Sequence, residues 1–301
     1  MITGRTPTGA RERPRRWLPR NRKARWGAYL SFLLVFVALA APVVSPHDPL
    51  RQTIERRLEP PSSRYPLGTD HLGRCLLSRI LWGTRKTLLI AGVAGLVSLL
   101  IGTFLGVASG YLGGWIDQLI TAVTDFLLAF PFFLVAIVLA GAFGQGTWSL
   151  LLALIIAGWT LPVRIVRSII LVERERDYVQ AARALGTGRG RIILRHLLPQ
   201  VWPQAVVLGA LGLGEFILAI TGLGFLGLGP PPPIPEWGSI VHDGRFFLRV
   251  APHLALFPAL ATALAVLAMN LLGEGLQEQW TTRALSTRAA ELESSPDGRE
   301  R

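Results

Sequence analysis

Tyr178 to Pro203, YVQAARALGTGRGRIILRHLLPQVWP, is the stretch whose reading decides this fold. It is a compact, basic, water-facing segment stranded between long apolar runs, and its residue pattern reads as two short helices joined at a glycine. Ala181, Ala182 and Ala184 on the first helix are small side chains that let another surface come close. Gly186 suits the left-handed residue that ends a helix and turns the chain. The second helix, Gly190 to Leu198, places Ile193, Leu194 and Leu197 on one face and Arg189, Arg191 and Arg195 elsewhere. Pro199 and Pro203 then redirect the chain into the next apolar run. Residue physics alone leaves two readings open, a docking knob and an ordinary positively charged loop.

Working outward, the chain around this segment reads as membrane protein. Of its 301 residues, 50% are apolar, and the mean hydropathy is positive, a combination that soluble domains of this length rarely sustain. The formal net charge of +12 could suggest a nucleic-acid partner. The arginines, however, gather in the N-terminal stretch and between apolar runs, as a positive-inside bias requires, and no nucleic acid is expected. One cysteine, Cys75, excludes an internal disulfide and a cysteine-based zinc cluster.

Residues 1–25 are rich in Arg and Pro and predict a disordered basic cytoplasmic tail. Residues 26–44 predict a first transmembrane helix, retained rather than cleaved as a signal peptide. Residues 45–86 predict an extracytoplasmic loop whose last part, Leu76 to Leu89, forms an amphipathic helix lying at the interface. Five further spans are expected within 87–277. They run from Thr87 to Ala108, with Gly92, Gly95, Gly102 and Gly106 allowing close helix approach; from about Asp117 to Ala142, kinked at Pro131; from Thr147 to Ile170; from Pro203 to Leu226; and from Pro252 to Leu276. Residues 278–301 predict a cytoplasmic tail. The fold class is therefore all-α, a polytopic membrane protein of six transmembrane helices. Six spans put both termini and the hairpin at 178–203 on one face, and the arginines from Arg164 to Arg195 make that face cytoplasmic.

Sites of chemistry are sparse. Gly222-Leu-Gly-Phe-Leu-Gly227 has the letters of a dinucleotide fingerprint but ends an apolar helix and runs into prolines, so close backbone packing explains it better. Only two lysines occur, Lys23 and Lys86, and neither sits in a phosphate-binding loop, so the chain carries no ATP site of this type. His47, His71, His196, His242 and His253 lack the i, i+4 pairing of a helical metal site. No catalytic residue, metal or cofactor is expected. Asp125 and Glu215 are carboxylates within spans and candidate pathway residues, with a packing role equally open.

At Gln180-Ala181-Ala182-Arg183-Ala184-Leu185-Gly186, followed by His196-Leu197-Leu198-Pro199, the chain resembles the permease subunits of binding-protein-dependent ATP-binding-cassette (ABC) importers. Leu67-Gly-Thr-Asp-His-Leu-Gly-Arg74, Gly110-Tyr-Leu-Gly-Gly-Trp115, Phe225-Leu-Gly-Leu-Gly229 and Trp237-Gly238 look like the C-type permease of the dipeptide/oligopeptide/nickel branch. The resemblance implies the type I importer permease fold and a hairpin that couples to a separate ATPase through Gln180, Ala181, Ala182, Leu185, Gly186, Arg189, His196, Leu198 and Pro199. It implies further partners: a second homologous permease forming a heterodimer, one or two ABC ATPase subunits, an extracytoplasmic solute-binding protein and the lipid of the cytoplasmic membrane of a bacterium or archaeon. Di- and oligopeptides are the leading substrate class. Gln180 departs from the family's usual glutamate, and Cys75 from its usual aspartate. An ion-coupled secondary transporter is the competing class; it would require matched inverted repeats and more intramembrane carboxylates.

Overall fold

A computed structural model describes residues 21–294, with side chains described as far as Thr281. The described chain is helical, with no strands beyond one isolated bridge, Thr69 to Cys75. Five helical stretches are long and apolar enough to cross a membrane, and a sixth crossing is made if one bent pair counts as a single span. The helix called α1 covers Arg22–Val44, four residues earlier than the expected start. Residues 1–20 of the expected N-terminal tail lie outside the described residues.

The helix α2, Leu76–Leu112, is unbroken for 37 residues. It runs about 56 Å, against about 30 Å of membrane hydrocarbon. The interfacial helix expected at Leu76 to Leu89 is therefore the beginning of α2 and not a separate element. Arg79, one of the charged residues within that apolar segment, is buried. Its charge is met by Asp70, with Nε 3.5 Å from Oδ2, and by Asp243, with Nη2 3.8 Å from Oδ2. Arg74 joins the same group, its Nε donating to Asp70 Oδ2 at 2.6 Å, and Asp70 Oδ1 accepts from the backbone of Leu72 and Arg74. The motif Leu67 to Arg74 thus closes on itself and is pinned to the start of α2 by buried paired charge, the state in which buried charge is tolerated.

The third span is two helices, α3 (Gly114–Leu128) and α4 (Phe132–Phe143), bent by 91° across Ala129 to Pro131. The proline kink expected there is a full corner. Helices α5 (Thr147–Gly158) and α6 (Thr160–Glu173) follow each other across Trp159 as one candidate span. A short helix, α7 (Asp177–Ala184), leads to α8 (Arg189–Ile192), which continues through a wide turn at Ile193–Leu197 into α9 (Leu198–Phe225). After the proline-rich loop come α10 (Trp237–Gly244) and α11 (His253–Ser294). The segment 278–301 expected as a tail is helical up to Ser294, and 295–301 lie outside the described residues.

The centre of the bundle is built where α2, α4, α5, α9 and α11 meet around Ala91, Ala94, Ala140, Leu150, Leu154, Phe216, Ile217, Ile220 and Leu223. The helices come together on small residues, as helices without a hydrophobic driving force between them must. Gly102, Gly106 and Gly110 of α2 lie directly against Pro162, Val166 and Ile170 of α6. Gly27 of α1 and Gly275 of α11 likewise meet each other's helix backbones. Gly92, expected as a close-approach residue, faces open space.

At the end of the bundle opposite the hairpin, Glu236 is fully buried and caps α10, accepting from the N–H of Gly238 at 2.8 Å and of Ser239 at 3.0 Å. Thr87 of α2 donates to it at 3.4 Å. A Cβ on Gly224 would stand 2.2 Å from Glu236 Oε2, so the middle glycine of the Gly222 to Gly227 run is the space in which this carboxylate sits. Burial pushes the Glu236 carboxyl up to about 7, against the lowering effect of its three hydrogen bonds. A folded-state value above the unfolded one makes a contribution that is full below about pH 4.5 and is lost as pH rises through about 7. The thermal midpoint of the purified protein is therefore expected to fall between about pH 5 and pH 8, and Glu236→Gln should flatten that slope. An identical slope in the variant would remove Glu236 as its cause.

Candidate functional site

The hairpin is seated on an apolar underside. Val179 and Ala182 of α7, Ile192 of α8, and Leu197, Val201 and Ala205 beyond it bury against Val107 of α2 and Val166 and Ile170 of α6. Residues three apart on α7 share one face, so Val179 and Ala182 point in while Gln180, Ala181, Ala184 and Leu185 point out. Ala182 is consequently part of the seat, and Ala181 alone of the first pair offers a small exposed surface. Leu185 stands 85% exposed at the tip. That is an unusual place for a leucine to remain uncovered, directly beside the turn.

Gly186 makes the turn. Its φ is +76°, its N–H reaches Arg183 O, and the Thr187 N–H reaches Ala182 O, the paired bonds by which a left-handed glycine closes a helix. A Cβ at 186 would meet nothing among the described residues within 4 Å. The turn requires glycine for its backbone angle, while the space above it stays open.

The second arm differs from the sequence expectation. Ile192 and Leu197 carry the burial, and Leu194, expected on the same face, is 65% exposed. The cause is the wide turn, in which Leu198 N–H bonds Ile193 O, five residues back. One extra residue in that turn rotates the side chains that follow. Pro199 and Pro203 therefore do not redirect the chain: Arg189 to Phe225 is one continuous candidate span. Leu198 is partly buried and Pro199 exposed, and His196 lies against the Tyr178 ring with centroids 6.0 Å apart. Arg189 lines a cavity with Arg183, described below.

Two polar clamps tie the seat to the spans, and neither was apparent from the sequence. Arg167 of α6 forks onto Asp117 of α3, with Nε to Oδ1 at 2.6 Å and Nη2 to Oδ2 at 2.7 Å, and Ser109 of α2 donates to the same carboxylate. Arg167 was expected to emerge into the basic face; it is spent on this bidentate pair instead. Arg174 Nη1 donates to Gly110 O at 2.8 Å. Gln180 Nε2 donates to Arg174 O at 3.2 Å and to Glu175 at 3.4 Å, so the amide at 180 is held along the hairpin's own entry. Tyr178 Oη donates to Glu173 at 2.8 Å. Burial and that carboxylate hold the phenol up at about 12.

The two intramembrane carboxylates are not brought together. Asp125 is exposed on α3 and Glu215 on α9, and neither makes a hydrogen bond or ion pair among the described residues. Glu215 lies one turn from Leu218 and two turns from Gly222 on the same side of α9, and these two line an open groove of about 570 Å³ between α9 and α11. Thr221, Thr262 and Asn270 are the polar groups in its otherwise apolar wall.

Comparison with known proteins adds an independent line. Residues 102–284 match the family model described as binding-protein-dependent transport system inner membrane component, and residues 15–61 match the N-terminal TM domain of oligopeptide transport permease C. The glutathione transport system permease of Pectobacterium atrosepticum is 40% identical over 269 residues, 89% of each chain. The dipeptide transport system permease of Alkalihalophilus pseudofirmus is 37% identical over 261 residues, covering 87% of this chain and 86% of the other. The nickel transport system permease of Escherichia coli K12 is 34% identical over 259 residues, 85% of this chain and 94% of its own.

Proposed function

Because the chain belongs to the family of binding-protein-dependent transport system inner membrane components, in the branch of the dipeptide, glutathione and nickel permeases, we propose that it forms one half of a heterodimeric import channel driven by a separate ATPase. Di- or oligopeptides are the proposed cargo, since peptides, including the tripeptide glutathione, recur among the relatives' names. The hairpin, both termini and the ATPase lie on the cytoplasmic side of the inner membrane, and the end bearing α10 and the proline-rich loop receives the binding protein. The arginines clustered from Arg164 to Arg195 favour that orientation. This chain performs no chemistry of its own; hydrolysis takes place on the partner.

The observation that carries the reading is the tip of the hairpin. An almost fully exposed Leu185 beside an open left-handed Gly186, on a knob locked underneath by Val179, Ala182, Ile192 and Leu197, is a surface shaped to enter a groove. The knob is also mechanically joined to the bundle. Its second arm runs without a break into α9, so force applied at the tip is delivered along a span lining the groove at Leu218 to Phe225. An ATP-driven partner that binds the knob differently in its two states can then bias the spans.

Vesicle transport tests this. With the cognate binding protein outside and ATP inside, vesicles holding the purified complex are expected to accumulate peptide, and an imposed proton or sodium gradient without ATP should produce none. Gradient-driven uptake by this chain in the absence of any ATPase would establish a secondary transporter instead.

A further inference from the structure

On the flank of the hairpin, lined from both sides of its turn, lies a cavity of about 340 Å³ between the end of α2 and the start of α8. It falls within the size range of ligand sites, about 300–1,000 Å³. Its lining is Tyr111, Leu112, Arg183, Thr187, Arg189 and Ile192. The electrostatics are of one sign, with two guanidinium groups, two hydroxyls and no carboxylate. Other arginines nearby are neutralised within the chain: Arg167 by Asp117, Arg174 by Glu175 and Arg176 by Glu173. Arg183 and Arg189 form no ion pair among the described residues. Arg183 is nevertheless held in place, its guanidinium carbon 5.2 Å from the centre of the Tyr111 ring. A cation–π contact orients the charge without cancelling it.

We propose that this cavity binds a phosphate group, presented by the headgroup of an anionic phospholipid. Guanidinium pairs match phosphate oxygens in geometry and charge, and a basic pocket at the end of a membrane span is where anionic headgroups gather. The lip of the cavity is Leu112, 49% exposed, and just beyond it Trp115 is 72% exposed, an apolar, aromatic border of the kind that marks the membrane–water boundary. Acyl chains would run along that side. The ATPase is the poorer occupant, because the outward face of α7 is formed by Gln180, Ala181, Ala184 and Leu185, whereas Arg183 turns toward Tyr111 and Arg189, which the resemblance counted among the ATPase-coupling residues, lines the same cavity. A lipid held there would staple α7 and α8 to α2, at the base of the knob.

Native mass spectrometry of the intact transporter complex tests the site, with phosphatidylglycerol, phosphatidylcholine and inorganic phosphate added separately. Phosphatidylglycerol should bind roughly tenfold or more tightly than phosphatidylcholine, because both carry the phosphodiester but the choline ammonium of the second cancels its charge and is repelled by the two guanidinium groups. Arg183→Gln combined with Arg189→Gln should abolish the preference, and Arg183→Lys with Arg189→Lys should retain most of it. Displacement of the lipid by millimolar phosphate would support the phosphate chemistry and show that the free anion also enters. Phosphate binding without any lipid preference would overturn the lipid as source. Equal binding of the two lipids by the wild type together with no phosphate binding, or a glutamine variant that keeps the preference, would overturn the site itself. So would a glutamine variant that sheds the ATPase while its lipid binding stays intact, since the arginines would then serve protein docking. None of these outcomes depends on which solute is carried.

Discussion

Gly106→Leu is expected to lower the amount of folded protein in the membrane several-fold, the abundance change that a loss of even about 1–2 kcal/mol produces. Gly102, Gly106 and Gly110 are spaced one turn apart on α2 and form the face that α6 lies on. A Cβ at 106 would come 2.8 Å from Val166 Cβ and 2.9 Å from Val163 O. The second of these is helix backbone and cannot swing aside. Overpacking a fitted contact costs typically about 1–3 kcal/mol, and here the contact is also what brings the helices together, since lipid is as apolar as leucine. The damage would spread, because α6 ends at Glu173, where the hairpin begins, and Val166 and Ile170 form its seat. Gly92→Ala on the same helix is the control. Its Cβ meets nothing within 4 Å, and alanine is the better helix former by about 1 kcal/mol, so this variant should match or slightly exceed the wild type in thermal midpoint. Membrane abundance and midpoint measured on both variants decide the matter; equal behaviour would mean that α2 and α6 do not meet on this stripe.

The spans and the glycine turn were legible in the sequence because both are local. A run of apolar residues needs only its own length to be recognised, and Gly186 needs only its neighbours in a helix-ending pattern. What escaped was decided by residues far apart in the chain. Arg79 reads as an interfacial cation until Asp243, over 160 positions later, is found beside it. Arg167 reads as a positive-inside arginine until it is seen paired with Asp117, 50 positions earlier. Close packing holds at Gly222 and Gly224, while Gly227 is a turn at φ +82°; the counterpart of Gly224, a buried carboxylate at 236, lies beyond a proline-rich loop that hides the relation. The inward turn of Ala182 and the outward turn of Leu194 depend on the seat and on one wide helical turn, neither of which sequence periodicity can show.

Gly186→Trp is expected to abolish ATP-driven uptake while leaving the protein in the membrane. The backbone angle of +76° costs a residue with a side chain about 1–2 kcal/mol, a tolerable fraction of the roughly 5–15 kcal/mol typical of folded domains. A Cβ at 186 meets no atom of the described residues within 4 Å, so the side chain leaves the turn without overpacking it. The ring would instead project beside Leu185, into the space that a docked partner must occupy. Loss of function with retained fold is therefore the signature of a docking surface, and loss of both would be that of a structural turn. The most direct measurement is the amount of ATPase recovered when equal quantities of the two permeases are purified through this chain from cells that also produce the partner subunits. The wild type is predicted to retain the ATPase stoichiometrically and Gly186→Trp to lose most of it, with uptake at background. Equal recovery of the ATPase and undiminished ATP-driven uptake by Gly186→Trp would contradict the assignment of the hairpin as the coupling site.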